Sequence, residues 1–178
     1  IAADGALNED SGSLTLSFDA ADVDGEIVST EASVDPTEGT VKVNNDGTFT
    51  FTPAKNFNGD ATITLITTDN GGATATTVST VKVGDVNDAP TIKVTSGKLD
   101  EDTGNITLSV EALDIDGVIV STVASIDASE GSIIDNNDGT FTLIPIDRFS
   151  GDEIVTLTTT DDDGEAATTT FTVDDVNN

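Results

Sequence analysis

The chain has 178 residues, with 34 acidic residues against 6 basic ones and a net charge of -28 at neutral pH. A field of this sign repels phosphate groups over a Debye length, so nucleic acid and anionic membrane surfaces are poor candidates for partners. Cysteine and histidine are absent, which excludes disulfides, thiolate zinc sites, iron–sulfur clusters and histidine-based catalysis. Cations are therefore the natural partners of this chain.

Short strands are the predicted elements along the first ninety residues. Residues 14–18 alternate apolar and polar side chains, the period of a half-buried strand. The turn at 44–47, Asn-Asn-Asp-Gly, predicts a hairpin because Asn and Gly tolerate positive φ, with Asp46 as a turn residue and Phe49 in the core. Residues 63–65 and 78–83 supply the closing strands. About seven strands without a helical period predict a small antiparallel sandwich.

The second half of the chain repeats the first. Laying residues 5–77 on residues 97–169 gives 41 identities in 73 positions, and Asp138, Phe141 and Phe149 then repeat Asp46, Phe49 and Phe57. Beyond Thr77 the offset falls from 92 to 90, which predicts a bulge in the last strand of the first copy. A period this long indicates complete domains in tandem, which we place at residues 1–88 and 89–178 with a linker at 85–90.

Acidic residues collect where strands end, at two poles of each predicted domain. An Asp-x-Asp-Gly loop follows the first marked strand, and a second Asp-rich loop follows the strand at 63–65. Both loops recur in the second copy. The acidic residues of these loops are Asp22, Asp24 and Asp69, with their copies Asp114, Asp116 and Asp161. At the other pole lie Glu9 and Asp60, with their copies Glu101 and Asp152, and the linker residues Asp85, Asn87 and Asp88.

These motifs resemble the cadherins. Asp85-Val86-Asn87-Asp88-Ala89-Pro90 resembles their inter-repeat calcium linker, Glu9 their first-strand glutamate, and the aspartate loops their Asp-x-Asp and Asp-x-Gly motifs. The segment from Asp46 to Asp60 is similar to the bacterial cadherin-like repeats of large repeats-in-toxin type adhesins and biofilm proteins. The resemblance implies two tandem all-β, seven-stranded, Greek-key (Ig-like, cadherin-like) sandwiches. The Leu-Asp-Arg-Glu box of animal cadherins has no counterpart, and Asp60 is the nearest acidic residue.

Calcium is the cofactor that this set of side chains favours. Ca²⁺ takes six to eight oxygen ligands, which carboxylates and Asn carbonyls provide. Carboxylates about 5 Å apart repel one another by roughly 0.8 kcal/mol per pair even in water, and a divalent ion converts that cost into binding. The lack of His and Cys disfavours transition metals, and Mg²⁺ tolerates irregular all-protein sites poorly.

Several single features of the sequence also have simpler interpretations. One Asp-x-Asp-Gly loop is more often a plain turn, Asp60 is equally well a turn residue after Gly59, and Asp162 and Asp163 are expected to face solvent. The Thr-x-Thr runs suit a solvated strand face better than an ice-binding array. Paired carboxylates suit glycosidases, but these pairs are copied into both domains without Trp or Tyr to hold a sugar. We therefore expect no enzyme activity.

The predicted function is a calcium-stabilised extender segment of a long extracellular adhesin, with the neighbouring repeats of the same chain as partners. The alternative is a module that binds carbohydrate or protein, including homophilic adhesion. The sequence shows neither a signal peptide nor an apolar run of membrane length, and its start at Ile1 suggests a segment of a longer protein. We expect a monomer.

The resemblance implies one complete calcium site and two half-sites. The complete site combines residues of both domains and the linker: Glu9, Asp60, Asp85, Asn87, Asp88, Asp114, Asp116 and Asp161. The half-sites await a preceding and a following repeat: Asp22, Asp24 and Asp69 at one end, and Glu101, Asp152, Asp175 and Asn177 at the other.

Overall fold

Alternation of core and surface residues organises both halves of the computed structural model, which describes residues 1–99, 104–146 and 153–173. The chain divides into two units, Ile1–Val86 (unit 1) and Asn87–Asn178 (unit 2). The described residues of each unit are all-β, apart from one 3-10 turn at Glu9–Ser11 in unit 1. Over the described ranges, no helix has the length and apolar character needed to cross a membrane.

Unit 1 is a sandwich of a four-stranded and a three-stranded sheet. Its strands are β1 (Gly5–Asn8), β2 (Leu14–Ser17), β3 (Ile27–Ser33), β4 (Gly39–Val43), β5 (Thr48–Pro53), β6 (Gly59–Asp69) and β7 (Thr74–Gly84). The sheet orders are β1-β7-β6-β3 and β2-β5-β4. All pairs are antiparallel except β1 with β7, which run parallel.

Unit 2 repeats this arrangement with one change. Its strands are β8 (Thr91–Leu99), β9 (Ile106–Leu113), β10 (Ile119–Ser125), β11 (Gly131–Asp135), β12 (Thr140–Pro145), β13 (Glu153–Asp161) and β14 (Ala166–Val173). The sheet orders are β10-β13-β14 and β11-β12-β9-β8. The first strand of unit 2 therefore pairs with β9, over Thr91–Ser96 and again at Leu99, whereas the first strand of unit 1 pairs with the last.

The cores confirm the predicted period of two. Phe49 and Phe51 of β5 and Ile63 of β6 are fully buried, while the intervening threonines are more exposed. Phe141 and Leu143 of β12 occupy the equivalent core of unit 2. Fully burying one such side chain contributes about 1.5–3 kcal/mol to stability, so these alternating positions fix which face of each strand turns inward.

The predicted hairpins are also confirmed. β4 and β5 are joined through Asn45 and Gly47, which have φ values of 61° and 82°. The carboxylate of Asp46 accepts the backbone N–H of Thr48 at 3.0 Å, so Asp46 is a turn residue as predicted. Asp138 accepts the N–H of Thr140 in the same way in unit 2.

The predicted bulge in the last strand of unit 1 is wrong. The ladder between β6 and β7 runs from Gly59↔Val83 to Thr68↔Thr74 without a register shift. The β13–β14 ladder is equally regular and places Val173 opposite Glu153, as Val81 lies opposite Ala61. The offset of 92 thus persists to Val173, because Val81 and Val173 both fill the core.

Candidate metal centre

The carboxylates of Asp22 and Asp69 lie together at one pole of unit 1. We call these two residues and Asp24 the aspartate pole of unit 1. Oδ1 of Asp22 accepts the backbone N–H groups of Asp24 and Gly25, each at 3.0 Å. The hydrogen bond from the backbone N–H of Asp24 is the largest cause of the lowered pKa of Asp22. Partial desolvation acts in the opposite direction, and the carboxyl groups of Asp24 and Asp69 lower the pKa further. Oδ1 of Asp69 accepts the N–H groups of Gly71 and Ala73, each at 2.8 Å.

The aspartate pole of unit 2, formed by Asp114, Asp116 and Asp161, has the same loop geometry. Oδ1 of Asp114 accepts the N–H groups of Asp116 at 3.1 Å and Gly117 at 2.8 Å. Its other oxygen, Oδ2, is buried and has no hydrogen-bond partner among the residues that the structure describes. A Cβ at Gly117 would lie 2.7 Å from Oδ1 of Asp162 and 3.4 Å from Oδ1 of Asp114, so a side chain there would displace the carboxylate of Asp162. The loop therefore holds Asp114 through Oδ1 and leaves Oδ2 without a hydrogen bond among the described residues.

Two linker residues attach to this pole of unit 2. Asn87 donates from Nδ2 to Oδ2 of Asp161 at 2.9 Å, and the backbone N–H of Asp88 donates to Oδ2 of Asp116 at 3.0 Å. Asp161 is only 1% exposed, and its pKa is lowered chiefly by the hydrogen bond from Asn87. The hydrogen bond from Asp88 lowers the pKa of Asp116, but partial desolvation and the neighbouring Asp114 carboxylate outweigh it, so that pKa is raised.

The opposite pole of unit 1 holds Glu9 against the beginning of the linker. Oε1 of Glu9 accepts the backbone N–H of Val86 at 3.1 Å. Desolvation raises the pKa of Glu9 despite this hydrogen bond, and the carboxylates of Asp85 and Asp10 raise it further. Three acidic groups therefore lie near one another at this end, and a bound cation would relieve their repulsion.

Asn58 is the residue that the sequence interpretation missed. Its Nδ2 donates to Oδ1 of Asp85 at 2.7 Å. Asp60, which the sequence suggested instead, lies exposed on β6 opposite Lys82 of β7 in the register. The available signal was the amide itself, since an Asn carbonyl oxygen is as good a calcium ligand type as a backbone carbonyl.

Calcium fits these residues by donor chemistry, although the side chains do not converge into a finished cage. Among the described residues, no group of three or more acidic side chains is gathered closely enough to hold a metal ion as it stands. The buried, unpartnered Oδ2 of Asp114 is the observation that favours a cation, because an ionised oxygen without a partner is costly to bury. The predicted ligands Glu101, Asp152, Asp175 and Asn177 lie outside the described residues.

The fold and these poles define a tandem pair of β-sandwich domains with acidic ends, and the comparisons give the family. The model of the Cadherin-like domain family matches residues 4–84 and 86–175, so the chain belongs to the cadherin-like domains. A comparison with the curated proteins gave no match.

Solved cadherin structures are similar to this chain in fold. The PcdhgB3 EC1–4 structure matches with a TM-score of 0.54 and 17% identity, over 97% of this chain and 47% of that chain. Extracellular cadherin domains 1–4 of protocadherin gamma B7 match with a TM-score of 0.51 and 17% identity, over the same shares of each chain. This chain spans less than half the length of either structure, and identities this low show the fold alone.

Proposed function

We propose that this chain is a calcium-stabilised extender segment of a long extracellular adhesin of the repeats-in-toxin type. In this proposal Ca²⁺ is ligated by Glu9 and Asp85 at the start of the linker and by the aspartate pole of unit 2, which comes after the linker. The ion restricts the linker and so stiffens the connection between consecutive repeats. Membership of the cadherin-like family and the charge of -28 both support this role.

The observation that carries the proposal is the linker's attachment to an aspartate pole with an unused buried oxygen. Asn87 and Asp88 are already held against Asp161 and Asp116. The unpartnered Oδ2 belongs to Asp114 in the same loop. The linker therefore contacts a loop cluster whose carboxylates belong to Asp114, Asp116 and Asp161, and carboxylate oxygens are the ligands that Ca²⁺ prefers.

Each protein group has a definite part in such a site. When bound, the ion supplies a divalent positive charge that offsets the repulsion between the carboxylates. The N–H groups of Asp116 and Gly117 orient Asp114 through Oδ1 and leave Oδ2 for a ligand bond. The hydrogen bond from Asn87 lowers the pKa of Asp161 and so favours the ionised form that metal ligation requires.

The residues of unit 1 would extend the site along the chain. Asp85 and Asn87 are two positions apart in the sequence, and Asp85 is held by Asn58. An ion ligated by residues on both sides of Val86 would leave the linker few free dihedral angles, because bending it would break ligand bonds. The mechanical role follows from this restriction.

Isothermal titration with matched variants tests the proposal. Asp114→Asn keeps an oxygen for the loop hydrogen bonds and removes the charge, so the tightest calcium binding should be lost. Asp22→Asn makes the same change at the pole of unit 1, where no linker residue of this chain is attached, and should retain it. Equal loss in both variants would contradict a site built on the linker.

A further inference from the structure

Strand β10 forms an open edge of the sheet β10-β13-β14. It pairs with β13 on one side, and no strand in the described part of the chain pairs with its other side. A register shift between Ile119 and Ser121 bends its beginning, which leaves residues 121–125 as the regular stretch. Strand β3 is the matching edge in unit 1, with the same shift between Ile27 and Ser29.

The two edge strands differ almost solely in charge. Residues 26–34 read Glu-Ile-Val-Ser-Thr-Glu-Ala-Ser-Val, and residues 118–126 read Val-Ile-Val-Ser-Thr-Val-Ala-Ser-Ile. Both glutamates of unit 1 are exposed. Their replacements, Val118 and Val123, are 61% and 57% exposed. Unit 2 thus presents a nine-residue, uncharged and largely β-branched segment at a free sheet edge.

Charged side chains on an edge strand normally prevent its unpaired N–H and C=O groups from pairing with another chain. Glu31 on β3 and Glu26 directly before β3 serve this purpose in unit 1, since two copies of β3 brought side by side would bring their carboxylates together. The same approach by two copies of β10 opposes only aliphatic and hydroxyl side chains. The molecule is therefore protected against edge pairing in one unit and open to it in the other.

We propose that β10 is a self-association surface at which a second copy of this chain pairs edge to edge. The partner is a second copy because the segment is uncharged and self-complementary, whereas the rest of the surface is strongly acidic. Antiparallel pairing about a two-fold axis would continue the three-stranded sheet into a six-stranded one. This inference goes beyond the calcium proposal and does not depend on it.

Association of two single chains through β10 is weak, whereas many chains in an array associate through many such contacts. Two short strands bury less area than a stable dimer interface, so the association of isolated chains falls in the transient class. Many copies held side by side on a surface would multiply such contacts through their effective concentration. The inferred role is lateral association of neighbouring chains.

Sedimentation equilibrium over a concentration series, in about 150 mM NaCl with a calcium chelator, tests the inference. The weight-average mass should rise with concentration from 18.1 kDa toward twice that value. Val118→Glu with Val123→Glu installs the residues that unit 1 carries at the equivalent positions, one directly before the edge strand and one on it, so folding is preserved and the rise should disappear. Glu26→Val with Glu31→Val should create a second associating edge and increase the average mass further.

A charge-matched control separates edge pairing from simple repulsion. Val78→Glu with Ile154→Glu adds the same two charges at residues that are each 51% exposed, on β7 and β13, and should leave the association unchanged. The inference is overturned if the wild-type chain keeps a single-chain mass at all concentrations. It is also overturned if the β10 variant associates like the wild type, or if the control variant loses association equally.

Discussion

The side chain of Asn87 donates a hydrogen bond from Nδ2 to Oδ2 of Asp161 at 2.9 Å, and it joins residues 74 positions apart. Asp161 ends β13, and Asn87 lies in the linker before β8. Among the hydrogen bonds of this carboxylate, this one has the largest effect on its pKa. The contact therefore connects the position of the linker with the ionisation of a buried aspartate in the same unit.

Asn87→Ala should raise the pKa of Asp161 and lower the melting temperature of unit 2 in calcium-free buffer. The variant removes the side-chain donor that favours the ionised form, while the N–H of Glu165 at 2.8 Å remains. Carbon-detected NMR titration of the carboxyl group measures the pKa directly. An unchanged pKa would show that the backbone donors of the loop are sufficient without Asn87.

Glu153→Leu should stabilise unit 2 at neutral pH by about 1–3 kcal/mol, the usual cost of a buried polar group without a partner. Glu153 is 1% exposed, and within the described part of the chain neither of its carboxylate oxygens has a hydrogen-bond partner. Unit 1 has Ala61 at the equivalent position. Urea denaturation provides the measurement, and a less stable variant would mean that the carboxylate contributes favourably.

Ser129→Ala should destabilise unit 2 at neutral pH and have a smaller effect in acid. The Ser129 hydroxyl is the largest cause of the lowered pKa of Asp127, followed by the Ser129 backbone N–H. A carboxyl group with a depressed pKa stabilises the fold above its unfolded pKa, about 3.9, and this stabilisation is lost as the pH falls through the folded value. Melting temperatures of the wild type and of Ser129→Ala, measured between pH 7 and pH 2.5, test this prediction.

Ser129→Thr is the control for this measurement, because unit 1 has Thr37 bonded to Asp35 in the same way. It should retain the wild-type pH dependence. A constant difference between wild type and Ser129→Ala at every pH would rule out the ionisation of Asp127 as the cause.

Calcium should raise the melting temperature far more than sodium chloride of equal ionic strength. An ion that binds only the folded state stabilises it by about 2.7 kcal/mol per site at a hundredfold excess over Kd. Screening alone acts on all 34 acidic groups and does not distinguish the two salts. Calorimetric scans in the two salts provide the test. Equal increases in melting temperature would mean that charge screening alone explains the effect.

Asp88→Ala with Asp116→Ala should remove the effect of calcium on the linker. For the wild type, calcium should narrow the distribution of distances in small-angle scattering, because ligand bonds on both sides of Val86 restrict the linker. The double variant should give the chelated profile in calcium as well. If it responds to calcium like the wild type, the linker aspartates do not carry the rigidity.

Local chemistry in the sequence determined the strands, the hairpins and the duplication. Phe49 and Phe51 alternate with threonines, and the Asn-Asn-Asp-Gly turn requires the positive φ that Asn45 and Gly47 adopt. The sequence also indicated which aspartates share a pole, because Asp22 and Asp69 follow strands that end on the same side. Whether these residues bind calcium remains a prediction, based on their donor chemistry.

Only the tertiary structure decided the relationships that depend on pairing between distant strands. A period of two does not indicate which strands are neighbours. The sequence therefore did not predict that β1 pairs with the last strand of its unit whereas β8 pairs with the second strand of its unit. The register placed Val173 opposite Glu153 and excluded the predicted bulge. Asn58 donates to Asp85 from the turn before β6, whereas Asp60 lies on β6 itself opposite Lys82, and this difference depends on where the strand begins. The open edge of β10 likewise could be recognised only from the strand order. The valines that replace Glu26 and Glu31 in unit 2 are informative only because β10 lies at the edge of its sheet.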